Sequence, residues 1–225
     1  PLSLGADIVV NSTSKYINAN SSAISGVITD GGKFKWDTEK YPGMKDFKKF
    51  GPFAYTAKLR NGLFRNTGAC LSPQNAFYNS IGMETLGLRM ERVCDNAKTL
   101  AQFFATEYSD IEVNYPGLAG SKWHNIATEQ FGDKFGGIIT IRTGNKKRAF
   151  GIIDALKLPL IVSNIGDTKT LVIHPESTLN VHSTQEEKET AGVFDDLIRI
   201  SVGIEDIEDL IDDFKQAIES VKDVY

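Results

Sequence analysis

Apolar residues recur at a helical spacing of about 3.6 at Phe77, Ile81, Leu86, Met90, Val93, Ala97, Leu100 and Phe104, which predicts a long helix with this stripe in the core. Ser72-Pro73 opens it with a serine N-cap and a proline at the first helical position. Gly82 and Gly87 weaken its middle, so a bend or boundary is expected near 82–90. A second stripe, Ile207, Leu210, Ile211, Phe214, Ile218 and Val221, predicts a C-terminal helix whose acidic start (Glu205, Asp206, Glu208) suits the helix dipole. Between the two, strand patterns at 111–115, 137–142, 160–163, 170–173 and 197–202 alternate with helical patterns at 122–131 and 146–156. Ser183-Thr184-Gln185-Glu186 reads as the capping box of another short helix. This order predicts a small α/β domain with helices on one face of its sheet.

The N-terminal third is organised differently. Residues 6–10 form a short β-branched run that predicts a buried strand, and 26–32 predict a strand ending in a tight glycine turn. Residues 33–70 show little periodicity beyond a helix near 53–65. The first strand stops in Asn11-Ser12-Thr13-Ser14, followed by Lys15. Ligands of open α/β sheets sit at such carboxyl ends. Ser12 and Ser14 can donate hydroxyls to a phosphate, while Thr13 between them points inward. A desolvated lysine beside them can lose its proton and form an imine with an aldehyde. Phosphate plus aldehyde describes pyridoxal phosphate. The plainer alternative is a solvated lysine after a hydroxyl-capped turn. Arg199 alternates with apolar neighbours on the 197–202 strand, so it is half-buried and needs an anion, either a ligand carboxylate or a nearby Asp or Glu.

Composition narrows the function class. A net charge of −4 and the lack of a dense Lys/Arg run argue against nucleic acid as a partner. No apolar run reaches membrane-spanning length. Cys70 and Cys94 are too few for a disulfide framework and are expected to be reduced core residues of a cytoplasmic protein. His124, His174 and His182 lack metal-ligand spacing, and no metal is expected. His174, before Pro175, is expected to hold a turn, and Lys146-Lys147-Arg148 to lie on a solvated helix face. Because the first strand follows so soon after Pro1, the chain reads as the C-terminal half of a longer protein.

The motifs ADIVVNSTSKY and SGVITDGGKFKW resemble the cofactor-lysine region of the Cys/Met-metabolism PLP-dependent enzymes. In the same order, LSPQNAFYNSIGMETLGLRMER, VNYPGL, SNIGDTKTLVIHPEST and LIRISVGIEDIEDLI resemble that family's interdomain helix, the turn after it and its C-terminal motifs. GGKFKW and the Ser-Asn form of SNIGD resemble its O-acetylhomoserine sulfhydrylase members most; cystathionine synthases and lyases and methionine γ-lyase are similar too. The resemblance implies the C-terminal part of the aspartate aminotransferase-like PLP transferase fold. Residues 1–85 would end the large PLP-binding domain, and 86–225 would form the small α/β domain. It implies Lys15 as the Schiff-base lysine, Ser12 and Ser14 as phosphate contacts, and Ser163, Asn164 and Arg199 as the substrate-carboxylate site. It implies γ-replacement on O-acetylhomoserine by sulfide or a thiol, in a homo-oligomer, with the remaining cofactor contacts supplied by an N-terminal half and a neighbouring subunit. The family's glycine- and histidine-bearing segment after the lysine is Ile17-Asn18-Ala19-Asn20-Ser21-Ser22 here, and Ser177-Thr178-Leu179-Asn180 lacks the family's second threonine and histidine. These departures motivate a competing expectation, a non-catalytic subunit that keeps the fold.

Overall fold

The computed structural model describes residues 1–222. Strands β1 (Ile8–Ser12) and β2 (Gly26–Asp30) pair antiparallel with Ile8 opposite Asp30 and Ser12 opposite Gly26. The expected buried strand is not buried: Val10 is 70% exposed, because β2 is its single neighbour among the described residues and the ribbon has no layer over that side chain. A 3₁₀ segment (Pro42–Phe53) then leads into a helical stretch made of α1 (Ala54–Lys58), a π-helical turn (Leu59–Phe64) and α2 (Arg65–Thr67), so the helix expected near 53–65 is present. The rings of Trp36 and Tyr55 stack 5.7 Å apart and pin the preceding loop to it.

Ser72 caps α3 (Pro73–Glu84) by accepting the Asn75 N–H at 3.2 Å. The helix stops at Thr85 (φ −108°, ψ 5°) and restarts as α4 (Leu86–Glu107), within the expected bend. The break divides the predicted stripe. Val93, Ala97, Leu100 and Phe104 are buried, but Phe77 and Ile81 are exposed. The buried face of α3 is instead Asn79 and Gly82, three residues apart, a polar and a glycine position that no apolar stripe can mark. A Cβ on Gly82 would stand 2.2 Å from the Ile17 carbonyl oxygen, so the helix and the segment after Lys15 meet backbone to backbone. Gly82→Ala is therefore expected to destabilise the full-length protein by about 1–3 kcal/mol, read as a lower thermal midpoint.

The rest builds a five-stranded sheet, β3 (Glu112–Asn114), β4 (Ile138–Arg142), β5 (Leu160–Ile161), β6 (Leu171–Ile173) and β7 (Leu197–Ser201), in the order β3-β4-β7-β6-β5. Only the β5–β6 pair is parallel. Ile139 and Ile141 of β4 and Ile198 and Ile200 of β7 turn to one face, where α4, α6 (Lys146–Ala155) and α8 (Ile207–Ser220) close the core with Leu100, Phe104, Ile152, Leu210 and Phe214. Because side chains alternate along a strand, Thr140 and its cross-strand partner Arg199 fall on the other face. Helices α4, α6 and α8 thus cover one side of this sheet, as the pattern predicted.

Local corrections follow from tertiary contacts. Helix α5 (His124–Phe131) starts two residues later than its pattern, after a turn at Trp123. Helix α7 (Gln185–Thr190) is capped by Thr184 with Glu187, one residue beyond the expected Ser183–Glu186 box; the run Ser-Thr-Gln-Glu-Glu offers both registers, and the Ser183 N–H is taken by the Asn180 carbonyl. Cys94 is buried but Cys70 is exposed, since it lies in the open connection between α2 and α3. Lys146-Lys147-Arg148 is not wholly solvated. The Arg148 side chain is 11% exposed and bonds Asp110 at 2.6 Å, and Lys146 and Lys188 both grip Glu176, at 2.8 and 2.6 Å. These two lysines hold the Glu176 carboxyl at about 2, down from its ordinary 4.5. The folded value lies below the unfolded one, so this contribution is complete above pH 4.5 and is lost as the pH falls toward 2. Urea unfolding is expected to show that loss, and Glu176→Gln to flatten it.

Candidate active site

The turn after β1 is fastened by its own hydroxyls. Thr13 is buried; its N–H donates to the Ser25 carbonyl at 3.0 Å and its hydroxyl to Ser25 Oγ at 2.6 Å, so it points inward as expected. Asn79 of α3 donates to both Ser25 Oγ (2.9 Å) and Thr13 Oγ1 (3.3 Å). Ser14 Oγ accepts the Ser25 N–H at 2.8 Å and donates to the Ser25 carbonyl at 3.2 Å. The Ser12 side chain has no hydrogen-bond partner among the described residues and is exposed. The N–H of Asn18 closes the turn on the Thr13 carbonyl at 2.9 Å, which presents Lys15 half-buried at the strand's end.

Lys15 Nζ donates to Asn164 Oδ1, a neutral amide supplied from 149 residues away. On its far side the segment is held by Arg89, which sequence reasoning passed over. This arginine is buried, donates to the Tyr16 carbonyl at 2.7 Å and the Gly82 carbonyl at 2.6 Å, and reaches Thr85 Oγ1 at 3.1 Å. Burial pulls its guanidinium below the ordinary value. It ties the break between α3 and α4 to the residue after Lys15; its place inside the bend expected near 82–90 was the available signal. Tyr16 packs its ring on Gly166, and burial raises its phenol against hydrogen bonds with Ser201 and Gly137.

Arg199 of β7 donates through Nη2 to the carbonyls of Ser163 (2.7 Å) and Asn164 (3.1 Å). Its Nε is buried without a partner, and it forms no ion pair with an Asp or Glu among the described residues. Burial pulls this guanidinium down too. A half-buried guanidinium with an idle donor is a place for an anion. Lys15, Ser163, Asn164 and Arg199 are thus joined by direct hydrogen bonds. Ser12 and Ser14 lie at the same strand end with Ser14 turned onto Ser25.

His174 sits in the turn it was expected to hold: Nδ1 meets Ser177 Oγ at 2.9 Å and Nε2 the Asp195 carbonyl at 2.7 Å. In the altered segment after Lys15 the backbone keeps a left-handed course without glycine, with φ of 81° at Ala19 and 58° at Ser21. Ser21 donates to Asp167 at 2.7 Å and accepts from Asn164 Nδ2 at 2.6 Å, contacts that the sequence did not announce.

The structure thus gathers a strand-end lysine bonded to a neutral amide, the open Ser12 hydroxyl at the same strand end and an arginine of the other sheet whose Nε is idle. The chain belongs to the Cys/Met metabolism PLP-dependent enzyme family, whose model matches residues 1–219. It is 40% identical over 232 residues to an O-acetyl-L-homoserine sulfhydrylase of Corynebacterium glutamicum, covering 96% of this chain and 53% of that protein. It is 38% identical over 222 residues to an L-methionine gamma-lyase of Fusobacterium nucleatum, covering 98% of this chain and 51% of that protein. A crystal structure described as an O-acetylhomoserine (thiol)-lyase of Campylobacter jejuni, holding N'-pyridoxyl-lysine-5'-monophosphate, superposes with a TM-score of 0.89 at 33% identity. That match covers 97% of this chain and 55% of the solved one, which places the fold in the C-terminal part of the PLP transferase architecture. The chain spans about half the length of the curated relatives it matches.

The residues present fit pyridoxal phosphate. The Lys15 amine is half-buried with no carboxylate partner among the described residues, the Ser12 hydroxyl is free for an anion, and the idle Nε of Arg199 is the kind of orphaned donor that an amino-acid carboxylate satisfies. No cluster of three metal-ligating side chains occurs among the described residues, and no helix there is long and apolar enough to cross a membrane.

Proposed function

We propose that the protein carrying this chain catalyses PLP-dependent γ-replacement on O-acetylhomoserine by sulfide or a thiol, giving homocysteine or methionine and acetate. The observation that carries this reading is Arg199, whose unpartnered Nε and lack of an acidic partner among the described residues suit a substrate α-carboxylate next to the lysine. Pyridoxal phosphate, when bound, supplies the electron sink that lets the acetate leave the γ carbon. Lys15 would hold it through its amine and, when free, move protons at the substrate's α and β carbons. Ser12 and Ser14 would donate to its phosphate, Ser14 by turning from the Ser25 carbonyl. Arg199 would grip the carboxylate in a two-pronged bond, with Ser163 and Asn164 shaping the same pocket.

We further assign residues 1–85 to the end of a PLP-binding domain and 86–225 to the small domain, the break at Thr85 falling at that boundary. An N-terminal half would supply an acid for the pyridine nitrogen, an aromatic ring over the cofactor and the remaining phosphate donors. A homo-oligomer of active dimers in the cytoplasm completes the reading. Ala19 and Ser21 at left-handed angles favour a second one, a non-catalytic subunit whose altered segment no longer serves the site.

Incubating the full-length protein with O-acetylhomoserine and sulfide is expected to release homocysteine and acetate. Release of ketobutyrate from methionine or cystathionine, with no homocysteine, would move the assignment to a γ-lyase. A colourless protein inert toward all three would favour the subunit.

A further inference from the structure

Between the segment after Lys15 and the loop after β5 runs a chain of four side chains whose polarity is fixed by its ends. An ammonium can only donate and a carboxylate can only accept. Lys15 therefore donates to Asn164 Oδ1, which turns Asn164 Nδ2 toward Ser21 Oγ at 2.6 Å. Ser21, having accepted that bond, has its one proton for Asp167 Oδ2 at 2.7 Å. Every group in the line has one orientation. Partial burial alone would push the Asp167 carboxyl up, but the Lys169 N–H, the Ser21 hydroxyl, the Lys169 charge and the Thr168 hydroxyl outweigh it, and the group stays below the usual carboxylate range. Thr168 N–H bonds the Ala19 carbonyl at 2.9 Å and locks the same two segments together through the backbone.

Ser21 makes its two bonds from φ 58°, a left-handed region that a non-glycine residue enters only at a cost. A glycine there would be unstrained but would have no hydroxyl. We propose that Ser21 and Asp167 are positioning residues for Lys15. Together they orient the Asn164 amide so that its carbonyl, not its NH₂, faces the lysine amine. Without the Ser21 hydroxyl the amide can rotate, and its NH₂ would then oppose the ammonium. This inference rests on the reading of Lys15 as the reacting amine, and it makes Ser21, in the segment that departs from the family pattern, a contributor to the site.

Ser21→Gly separates strain from positioning. In the cofactor-free full-length protein, acetic anhydride labelling of Lys15, followed by peptide mass spectrometry, is expected to run about tenfold faster in S21G than in the parent, the size of one lost charged hydrogen bond. The labelling of Lys147, an exposed lysine outside this line, serves as the internal reference. The thermal midpoint is expected to hold or rise. In the cofactor-loaded enzyme the same variant is expected to lower kcat about tenfold with KM within about twofold, since the amine is misplaced and the carboxylate site is not. Ser21→Ala, which keeps the strain and loses the hydroxyl, is expected to label as S21G does. Equal Lys15 labelling in parent and both variants overturns the proposal, whatever the activity. Faster labelling in a protein that makes no homocysteine upholds the positioning role and sets aside the sulfhydrylase reading.

Discussion

Lys15→Ala in the full-length protein is expected to remove the visible absorbance of bound pyridoxal phosphate and to lower homocysteine formation by about a thousandfold or more. Two losses combine. The covalent hold on the cofactor disappears, and so does the positioned base, whose proton transfers alone contribute about 10²–10⁴-fold. The fold should survive. Lys15 is half-buried and its side chain makes one bond, to Asn164, while the turn around it is fastened by Thr13, Ser14, Asn18 and Asn79. Circular dichroism and thermal unfolding of the variant should therefore match the parent. Retention of the visible band in Lys15→Ala would contradict the assignment.

The second large effect is at Arg199. Arg199→Ala is expected to lower kcat/KM for O-acetylhomoserine by about a hundredfold, equivalent to about 2.7 kcal/mol, as expected when a charged two-pronged contact to a carboxylate is lost. Arg199→Lys should not restore it. An ammonium is a compact, strongly hydrated charge without the planar fork, and this position is half-buried with its Nε shielded from solvent. Some loss of rigidity is expected as well, because Nη2 bonds the Ser163 and Asn164 carbonyls. A carboxylate role is distinguished from that structural one by substrate analogues: an O-acetyl amino alcohol lacking the carboxylate should lose nothing further in Arg199→Ala. Additive losses from the mutation and the analogue would assign the arginine to structure alone.

The sequence was most informative where burial follows a single period. Val93, Ala97, Leu100 and Phe104 on α4, Leu210, Phe214 and Ile218 on α8, and the alternation around Arg199 on β7 each face one apolar core, so pattern and burial agree. It misled where a face is buried by other means. α3 docks through Asn79 and Gly82, and its apolar Phe77 and Ile81 remain exposed. The β1 run looks like an interior strand and has one neighbour among the described residues. Within the site, the strand-end lysine and the strand arginine were legible because each is an ionisable group set among apolar or hydroxyl neighbours. Arg89 and the Ser21–Asp167 pair were not. Their partners are backbone carbonyls and side chains many residues distant, which local spacing does not encode.

The most direct test is borohydride reduction of the full-length protein with its cofactor, followed by digestion and mass mapping. A pyridoxyl-phosphate adduct on the peptide containing Lys15 is the predicted result; an adduct confined to another lysine, or none from a protein that nonetheless turns over O-acetylhomoserine, would contradict it.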